Sequence, residues 1–315
     1  MRIVVRCLVP GLLAAVCSLA ASVATAQAPA AQAPAAQSPA CRELARRLDL
    51  AGAGSLELNT ALFQASDAGC LPLARHLVES GASLAASDRF GAMALAHAAR
   101  AGHQALVELF LSQGAAIDAR NLAGATALFA AAENDRQPIV ALLLAKGADA
   151  NLPGRSDVTP LAAAAFRGND RIAAELISHG AAPDVADSTG KTPIIYAAAR
   201  GFSPVVRVLL AAGVDAQRSY ANDLTALMWA AGYEDGFGER DALDVVALLL
   251  DAGAPIDAAD DRGRTALMIA AERGHAAVVA ALLARGADRS ITDRAGKRAL
   301  DLAQNDEVRQ TLAAK

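Results

Sequence analysis

The chain has 315 residues, a net charge of −4 and only 3% aromatic residues. Its mild acidity, without any run of Lys or Arg, argues against binding to nucleic acid or to an anionic membrane surface. The length is enough for two ordinary domains or for one elongated array of repeats.

The N-terminal segment 1–26 has the features of a secretory signal peptide. Arg2 and Arg6 supply positive charge, an apolar stretch follows, and Ala24-Thr25-Ala26 fits a small-x-small cleavage site. The sequence therefore predicts cleavage after Ala26 and a mature protein that is periplasmic in a bacterium or secreted. An uncleaved membrane anchor is one alternative, which Pro10 within the apolar stretch disfavours. A lipoprotein modified at Cys17 is another.

Residues 27–40 are rich in Pro, Ala and Gln and contain nothing that could form a core, so we expect a tether there. The folded part is predicted to span residues 41–315. Cys41 and Cys70 are the cysteines that this part retains. In an oxidising compartment they could form a disulfide that pins the first helix to the array. Two separate buried thiols are the alternative.

An internal repeat dominates the folded part. A Thr or its equivalent, followed by an apolar helical pattern, recurs every 33 residues, then once after 40 residues and again after 33. These positions are Thr60, Met93, Thr126, Thr159, Thr192, Thr225, Thr265 and Arg298. The spacing predicts seven units, numbered 1–7, and a C-terminal cap. Their predicted bounds are 55–87, 88–120, 121–153, 154–186, 187–219, 220–259, 260–292 and, for the cap, 293–315.

Each unit is predicted to consist of a turn, a helix, a second turn and a second helix. The first turn carries Gly where the backbone needs a left-handed conformation, and Asp157 and Asp223 take that place in units 4 and 6. The Thr that recurs in most units is expected to cap the first helix, and a Gly such as Gly147 to end the second. No unit can bury its apolar faces alone, so the units must stack.

The unit resembles the ankyrin repeat, as in "TALMIAAERGH" from Thr265, followed by "AVVAALL" and a Gly-Ala-Asp. The resemblance covers about residues 54–315 and implies an all-α ankyrin-repeat solenoid of about seven stacked helix-turn-helix units with terminal caps. Residues 41–51 resemble a half-unit that closes the N-terminal end. Such arrays bind a partner protein through a concave groove made of turn tips and the ends of the first helices.

Carried over position by position, this groove predicts partner-binding residues that are mostly Arg or aromatic, types that often anchor interfaces. On the turn tips they are Arg89, Phe90, Leu122, Arg155, Lys191, Tyr220, Arg262 and Arg264. At the ends of the first helices they are Arg100, Glu133, Asn134, Phe166, Arg167, Arg200, Tyr233 and Arg273. For each residue, an ordinary solvated side chain is the alternative. A further slot, held by His97, Tyr196 and Trp229, is interpreted as packing between neighbouring helices.

The interval of 40 residues indicates an insertion between the two helices of unit 6, within residues 232–243. Tyr233 and Phe237 give this segment aromatic side chains that favour contact with a partner, and its glycines make the backbone flexible. It is either a loop that contacts a partner, with Phe237 among the binding residues, or a tolerated length variant.

The sequence offers little for catalysis or metal binding. The five histidines fall in different units, and neither His-Glu-x-x-His nor Cys-x-x-Cys is present, so no metal or other cofactor is predicted. His103 and His275 are expected to form hydrogen bonds in turns. The sequence predicts a non-catalytic scaffold, monomeric on its own, that binds a partner protein. The alternatives are a secreted effector that binds a eukaryotic host protein, and an enzyme whose groups converge from distant units.

Overall fold

The structure, a computed structural model, describes residues 38–47, 52–233 and 238–314. These residues form 17 α-helices, and the only β-structure among them is two isolated bridges. None of the described helices is both long and apolar enough to cross a membrane. The predicted signal peptide, residues 1–26, lies outside the described residues, as does the predicted tether up to residue 37.

The helices form two rows. The first helices of the units make the inner row: α2 (Ser55–Ala68), α4 (Ala94–Ala101), α6 (Ala127–Glu133), α8 (Pro160–Arg167), α10 (Pro193–Ala199), α12 (Ala226–Ala231), α14 (Ala266–Arg273) and α16 (Ala299–Leu302). The second helices make the outer row: α3 (Leu71–Glu79), α5 (Gln104–Ser112), α7 (Gln137–Ala145), α9 (Asp170–Ser178), α11 (Ser203–Ala211), α13 (Glu239–Asp251), α15 (Ala276–Ala284) and α17 (Asp306–Ala313). Helix α1 (Pro39–Arg47) precedes both rows. Each helix contacts its partner in the unit and the next helix of its row, which confirms the predicted all-α solenoid.

The two rows differ in how many small side chains they bury. Both bury large aliphatic residues, such as Leu161 in the inner row and Leu143 in the outer row, but fully buried alanines such as Ala164 and Ala165 are concentrated in the inner row. Because small side chains allow helix backbones to approach, inner helices of adjacent units lie closer together than outer ones do. We expect this difference to curve the array toward the inner row and its turns.

The turns before the inner helices come in two forms. In unit 5, Asp187 Oδ1 accepts the backbone N–H groups of Thr189 and Lys191, and Gly190 is left-handed with φ 79°. Units 4 and 6 lack Asp or Asn at the start of the turn and use two consecutive left-handed residues instead. These residues are Ser156, Asp157, Asn222 and Asp223. The predicted left-handed roles of Asp157 and Asp223 are therefore confirmed, and each has a left-handed neighbour that the sequence pattern did not indicate.

Capping of the inner helices follows the predicted pattern in most units. The Thr hydroxyl oxygen accepts a backbone N–H three residues later at Thr126, Thr159, Thr225 and Thr265. Thr192 lies at the start of α10, but its side chain makes no capping hydrogen bond. The prediction is wrong for Thr60, which lies inside α2 because this helix begins five residues earlier, at Ser55. Thr60 donates its hydroxyl to the Leu56 carbonyl at 2.8 Å. Unit 1 thus replaces the turn of the other units with extra helix.

The N-terminal end of the array is closed by α1. The helix starts at Pro39, two residues before the predicted start of the folded part, and Pro suits the first position of a helix. The structure joins Cys41 of α1 to Cys70, just before α3, with their Cα atoms 5.4 Å apart. Both cysteines are buried. A covalent bond therefore holds a helix that has few other neighbours.

The C-terminal end is closed without a covalent bond. Helix α17 buries Val308 and Leu312 and exposes its charged residues to solvent. Arg289, which precedes the cap, donates to the carbonyls of Leu312 and Ala314 at 3.0 and 2.6 Å. These carbonyls at the end of a helix have no partner within it, so the guanidinium satisfies them.

The insertion of unit 6 is partly helical rather than a loop throughout. Helix α13 has 13 residues where the second helices of units 1–5 and 7 have 9, so residues 239–243 belong to it. Glu239 and Asp241 in its first turn favour this start because they oppose the helix dipole. Ala242 is fully buried. Residues 234–237, which include Phe237, lie outside the described residues.

Candidate partner-binding groove

The turn tips and the exposed ends of the inner helices form one continuous surface, called the inner groove below. Four cavities lie along it. The central cavity, of about 550 Å³, lies between units 3, 4 and 5. A cavity of about 220 Å³ follows between the tips of units 5 and 6, one of about 370 Å³ between units 6 and 7, and one of about 470 Å³ between unit 7 and the cap.

The central cavity has aromatic walls. Phe166, exposed at the end of α8, meets Tyr196 of α10 edge to face, with ring centroids 5.7 Å apart. Phe129 of α6 is buried beneath and lies against Gly154, where an added Cβ would come within 2.9 Å of the ring. Arg155, on the neighbouring turn tip, and Arg167, on α8, lie at the rim. The cavity therefore combines an apolar interior with a charged edge.

Tyr196 is fixed by the turn of its own unit. Its hydroxyl donates to Asp187 Oδ2, while Oδ1 of the same carboxylate accepts from Thr189 and Lys191. Burial favours the neutral acid, but the Tyr196 and Thr189 hydroxyls and the backbone N–H groups outweigh it, so the pKa of Asp187 is lowered. Burial, and then the adjacent carboxylate, raise the pKa of Tyr196 above its ordinary value. The pair holds one wall of the cavity in place.

The next cavity is built around Lys191, Tyr220 and Trp229. The Lys191 ammonium lies 5.7 Å from the ring centroid of Tyr196 and 5.4 Å from that of Trp229, within the range of cation–π attraction. The Tyr220 hydroxyl donates to Asp184 Oδ1 at 3.1 Å. Burial, followed by the Asp184 charge, raises the pKa of Tyr220 to about 12. The tyrosine is therefore neutral and its hydroxyl is committed to Asp184.

Charges near the C-terminal end of the inner groove are paired with one another. Arg264 forms ion pairs with the buried Asp260 at 2.9 Å and with Glu272 at 3.0 Å. Asp260 also accepts the backbone N–H groups of Arg262 and Arg264, as Asp187 does in unit 5. The predicted binding residue Arg264 thus stabilises its own turn and has less freedom to meet a partner.

Several side chains of the groove cross from one unit to the last carbonyls of the preceding inner helix. Arg167 Nε donates to the Glu133 carbonyl at 2.9 Å, and Arg200 Nη1 donates to the Phe166 carbonyl at 2.5 Å. The terminal carbonyls of a helix lack intrahelical donors and carry partial negative charge, which favours a cation. Arg167 and Arg200 therefore hold adjacent units together as well as lying on the groove.

The histidines of the Gly-His position act in the same way. His103 contacts the Asp67 carbonyl at 3.0 Å and His275 contacts the Ala231 carbonyl at 3.0 Å. The expected hydrogen bonds exist, but they reach the preceding unit rather than the residue's own turn. Tyr233 stacks on His275 with ring centroids 3.8 Å apart. Tyr233, predicted to bind a partner, therefore packs against the next unit.

Comparison with protein families decides the identity of the array. A family model described as Ankyrin repeats (3 copies) matches residues 62–154 and 161–254, and one described as Ankyrin repeats (many copies) matches residues 240–303. The chain belongs to the ankyrin-repeat family. The resemblance inferred from the repeated sequence is thereby confirmed. No curated protein sequence matches the chain.

Ankyrin repeats are generally protein-interaction modules, and the family is typically non-catalytic. In this ankyrin array, the central cavity brings together four of the predicted binding residues: Glu133, Arg155, Phe166 and Arg167. Five more line the other cavities: Lys191, Tyr220, Arg262, Arg264 and Arg273.

The remaining predicted residues lie apart from these cavities. Phe90 and Leu122 are exposed on adjacent turn tips, which are joined by a backbone hydrogen bond of 3.0 Å, and Arg89 lies over the Phe90 ring. Arg100 pairs with Asp67 at 2.9 Å. The Asn134 side chain donates to the carbonyl of Ala130, four residues earlier.

The sequence interpretation of the slot held by His97, Tyr196 and Trp229 is packing between neighbouring helices. His97 packs between units, buried against the Phe63 ring with centroids 5.2 Å apart, and Tyr196 packs edge to face on Phe166 of α8. Tyr196 and Trp229 also line cavities of the inner groove, which the interpretation did not include. The signal was present in the spacing. Tyr196 stands four residues before Arg200, and residues four apart on a helix share a face.

Proposed function

We propose that this ankyrin-repeat protein is a non-catalytic scaffold that binds a partner protein through the inner groove. One observation carries the proposal: the cavities follow one another along the same face, from unit 3 to the C-terminal cap. A partner segment lying along this face could occupy several of them in turn. A series of shallow, open cavities suits an extended protein surface better than a single small molecule.

The groove is held in shape before any partner arrives. Backbone hydrogen bonds join neighbouring turn tips, as from Ser188 N–H to the Ser156 carbonyl at 2.9 Å, and arginines lock adjacent inner helices. A preorganised surface loses little conformational entropy on binding, so modest contacts are enough for affinity.

The perturbed titratable groups support a structural role. Asp187 and Tyr196 bond to each other and to their own turn, and Tyr220 is bonded to Asp184. Among the described residues, no group of three or more His, Cys, Asp or Glu side chains could hold a metal ion. We therefore assign these groups to the geometry of the turns rather than to turnover.

Affinity capture with matched variants tests the proposal. The groove variant replaces Arg89, Phe90, Phe166 and Arg167 by Ala. The control variant replaces exposed residues of outer helices, namely Arg75, Glu108, Arg171 and Arg207, by Ala. We expect the wild type and the control to capture the same partner from periplasmic extract and the groove variant to lose it, with circular dichroism unchanged in all three. Equal capture by the groove variant would disprove the groove assignment.

We further propose that the protein is exported and that its partner lies in the periplasm. The Cys41–Cys70 bond supports this because disulfides persist in oxidising compartments. Thiol titration of unreduced mature protein from the native cell is expected to find no free thiol, whereas two reactive thiols would contradict it. Fractionation separates the two candidate roles. Mature protein found solely outside the cell would favour an effector of a eukaryotic host over a periplasmic scaffold.

A further inference from the structure

The central cavity carries information about the kind of segment that it accepts. Its volume, about 550 Å³, exceeds that of any single side chain, and its walls are the rings of Phe166, Tyr196 and Phe129. Phe166 is 40% exposed although it is aromatic, so part of its apolar surface stays open to solvent beside the contacts with Tyr196 and Arg200. Burying a large apolar side chain there would remove this surface from water.

Cations outnumber accessible anions around this cavity. Arg155 and Arg167 lie at the rim, Lys191 lies 5.7 Å from the Tyr196 ring, and the Arg200 guanidinium lies 4.0 Å from the Phe166 ring centroid. The anion at the rim is Glu133.

Two further carboxylates stand near the cavity. Asp187 is ionised, but it is buried and both of its oxygens already accept hydrogen bonds, so neither oxygen is free to bond a ligand. Asp157 is exposed on the same turn as Arg155, two residues after it. Counting these two and Glu133, three anions face the four cations. The local balance is therefore positive, whereas the whole chain has a net charge of −4.

Arg155 is the cation best placed to meet a ligand. Its side chain is exposed, lines the cavity and forms no ion pair with any described residue. Arg264, by contrast, already forms ion pairs with two carboxylates of the same chain, Asp260 and Glu272. A guanidinium without an internal partner can accept a carboxylate in a bidentate contact.

We propose that the central cavity binds a large apolar or aromatic side chain from an acidic segment of the partner protein, with a flanking carboxylate on Arg155. This inference rests on the proposed function and specifies the partner's chemistry. A basic segment would place like charges beside Arg155 and Arg167, which disfavours it. The aromatic walls favour a large apolar or aromatic side chain of the partner, and the positively charged rim favours negatively charged residues beside it.

Three fluorescein-labelled synthetic peptides provide the test. The first has a central Trp between glutamates, the second has the same Trp between lysines, and the third has a central Ser between glutamates. Fluorescence anisotropy is measured with the full mature protein. We expect the acidic Trp peptide to bind at least about tenfold more tightly than either of the others. Its affinity is expected to fall as NaCl is raised, because the carboxylate contacts lie at an exposed rim.

Single substitutions locate the site. Phe166→Ala and Arg155→Glu are each expected to weaken the acidic Trp peptide by about fivefold or more, and Arg155→Lys to weaken it less. Ala123→Trp, at an exposed position of the rim, should block the cavity without removing any contact of the array. Arg207→Glu, on the outer helix α11, is the matched charge control and should leave binding unchanged.

The outcomes separate this inference from the proposed function. Equal or tighter binding of the lysine peptide, or insensitivity of the acidic Trp peptide to Phe166→Ala and Ala123→Trp, would overturn the inference. The inference would also be overturned if none of the three peptides bound measurably. If the groove variant still lost its captured partner in those cases, the inner groove would stand as a binding surface and only the chemistry proposed for its occupant would fail.

Discussion

The helices of the inner and outer rows differ in the side chains that they bury. The inner row buries alanines such as Ala131 and Ala164 among its leucines and isoleucines, whereas the outer row buries mostly large residues such as Leu143 and Ile172. The inner helices consequently approach each other more closely, and their turn tips are brought within hydrogen-bonding distance. Small residues are thus a requirement of the inner row, since they create the groove.

This division separates the positions that build the array from those that a partner can reach. On the outer row, the buried side chains are mostly large aliphatic ones. The inner row buries large side chains as well, such as Leu128 and Leu161, but it adds many fully buried alanines, and other large side chains, such as Phe166, Tyr196 and Trp229, line the groove. The comparison predicts that shortening a buried leucine destabilises the outer row and that enlarging a buried alanine destabilises the inner row.

The outer row should fail when a side chain is shortened. Leu143 of α7 is fully buried, so Leu143→Ala removes apolar burial and leaves a cavity. We expect a loss of about 2–5 kcal/mol in the free energy of unfolding, measured by urea denaturation. Leu122→Ala, at a turn tip where the side chain is 81% exposed, is the control and should change it by less than about 0.5 kcal/mol. Similar losses in both variants would contradict the division.

The inner row should fail when a side chain is enlarged. Ala164 of α8 is fully buried, and α8 packs against both α6 and α10, so the larger side chain of Ala164→Leu must push packed neighbours apart. We expect a destabilisation of about 1–3 kcal/mol by urea denaturation. The same change at Ala211, exposed at the end of α11, should be nearly neutral. A stable Ala164→Leu protein would mean that the inner row has spare room around this position.

Much of this architecture could be predicted from the sequence because the same turn, capping and helix-ending residues recur in successive units. Stop signals such as Gly147, left-handed at φ 87°, and caps such as Thr126 act through local backbone geometry, which the sequence encodes directly. Thr60 shows the limit. Its local sequence matches the later units, but without a preceding turn its helix extends toward the N-terminus.

The candidate binding residues were harder to predict because their availability depends on other units. Arg167 and Arg155 are both exposed arginines at groove positions, yet Arg167 donates to the Glu133 carbonyl of the preceding unit. That acceptor is a backbone group, which leaves no mark in the sequence. Tyr196 was missed for a related reason: its contact with Asp187 forms only when the turn folds back over α10.

The contact between Asp187 and Tyr196, in the wall of the central cavity, is expected to stabilise the protein in a pH-dependent way. Asp187→Asn keeps an acceptor for the turn, as Asn121 does in unit 3, but loses the carboxylate contact with Tyr196. We expect a loss of about 1–2 kcal/mol at neutral pH. Because the pKa of Asp187 is lowered in the folded protein, its stabilisation is present above the ordinary value of 3.8 and is lost as pH falls below it. The difference between wild type and variant in urea denaturation should therefore shrink in acid, and a constant difference would exclude this role.

The smallest loss of stability is expected for the contact between Tyr220, at a turn tip, and Asp184, which follows an outer helix. Tyr220→Phe removes the hydroxyl that donates to Asp184, and since the site is partly exposed we expect a loss of only about 0.5–1 kcal/mol at neutral pH. Its sign with pH is opposite to that of Asp187. The pKa of Tyr220 is raised from 10.0 to about 12 on folding, so its stabilisation is complete below pH 10 and disappears as pH rises toward 12. Urea midpoints of wild type and Tyr220→Phe should converge across that range. Midpoints that stay equally far apart would show that the hydroxyl acts through packing rather than through its bond to Asp184.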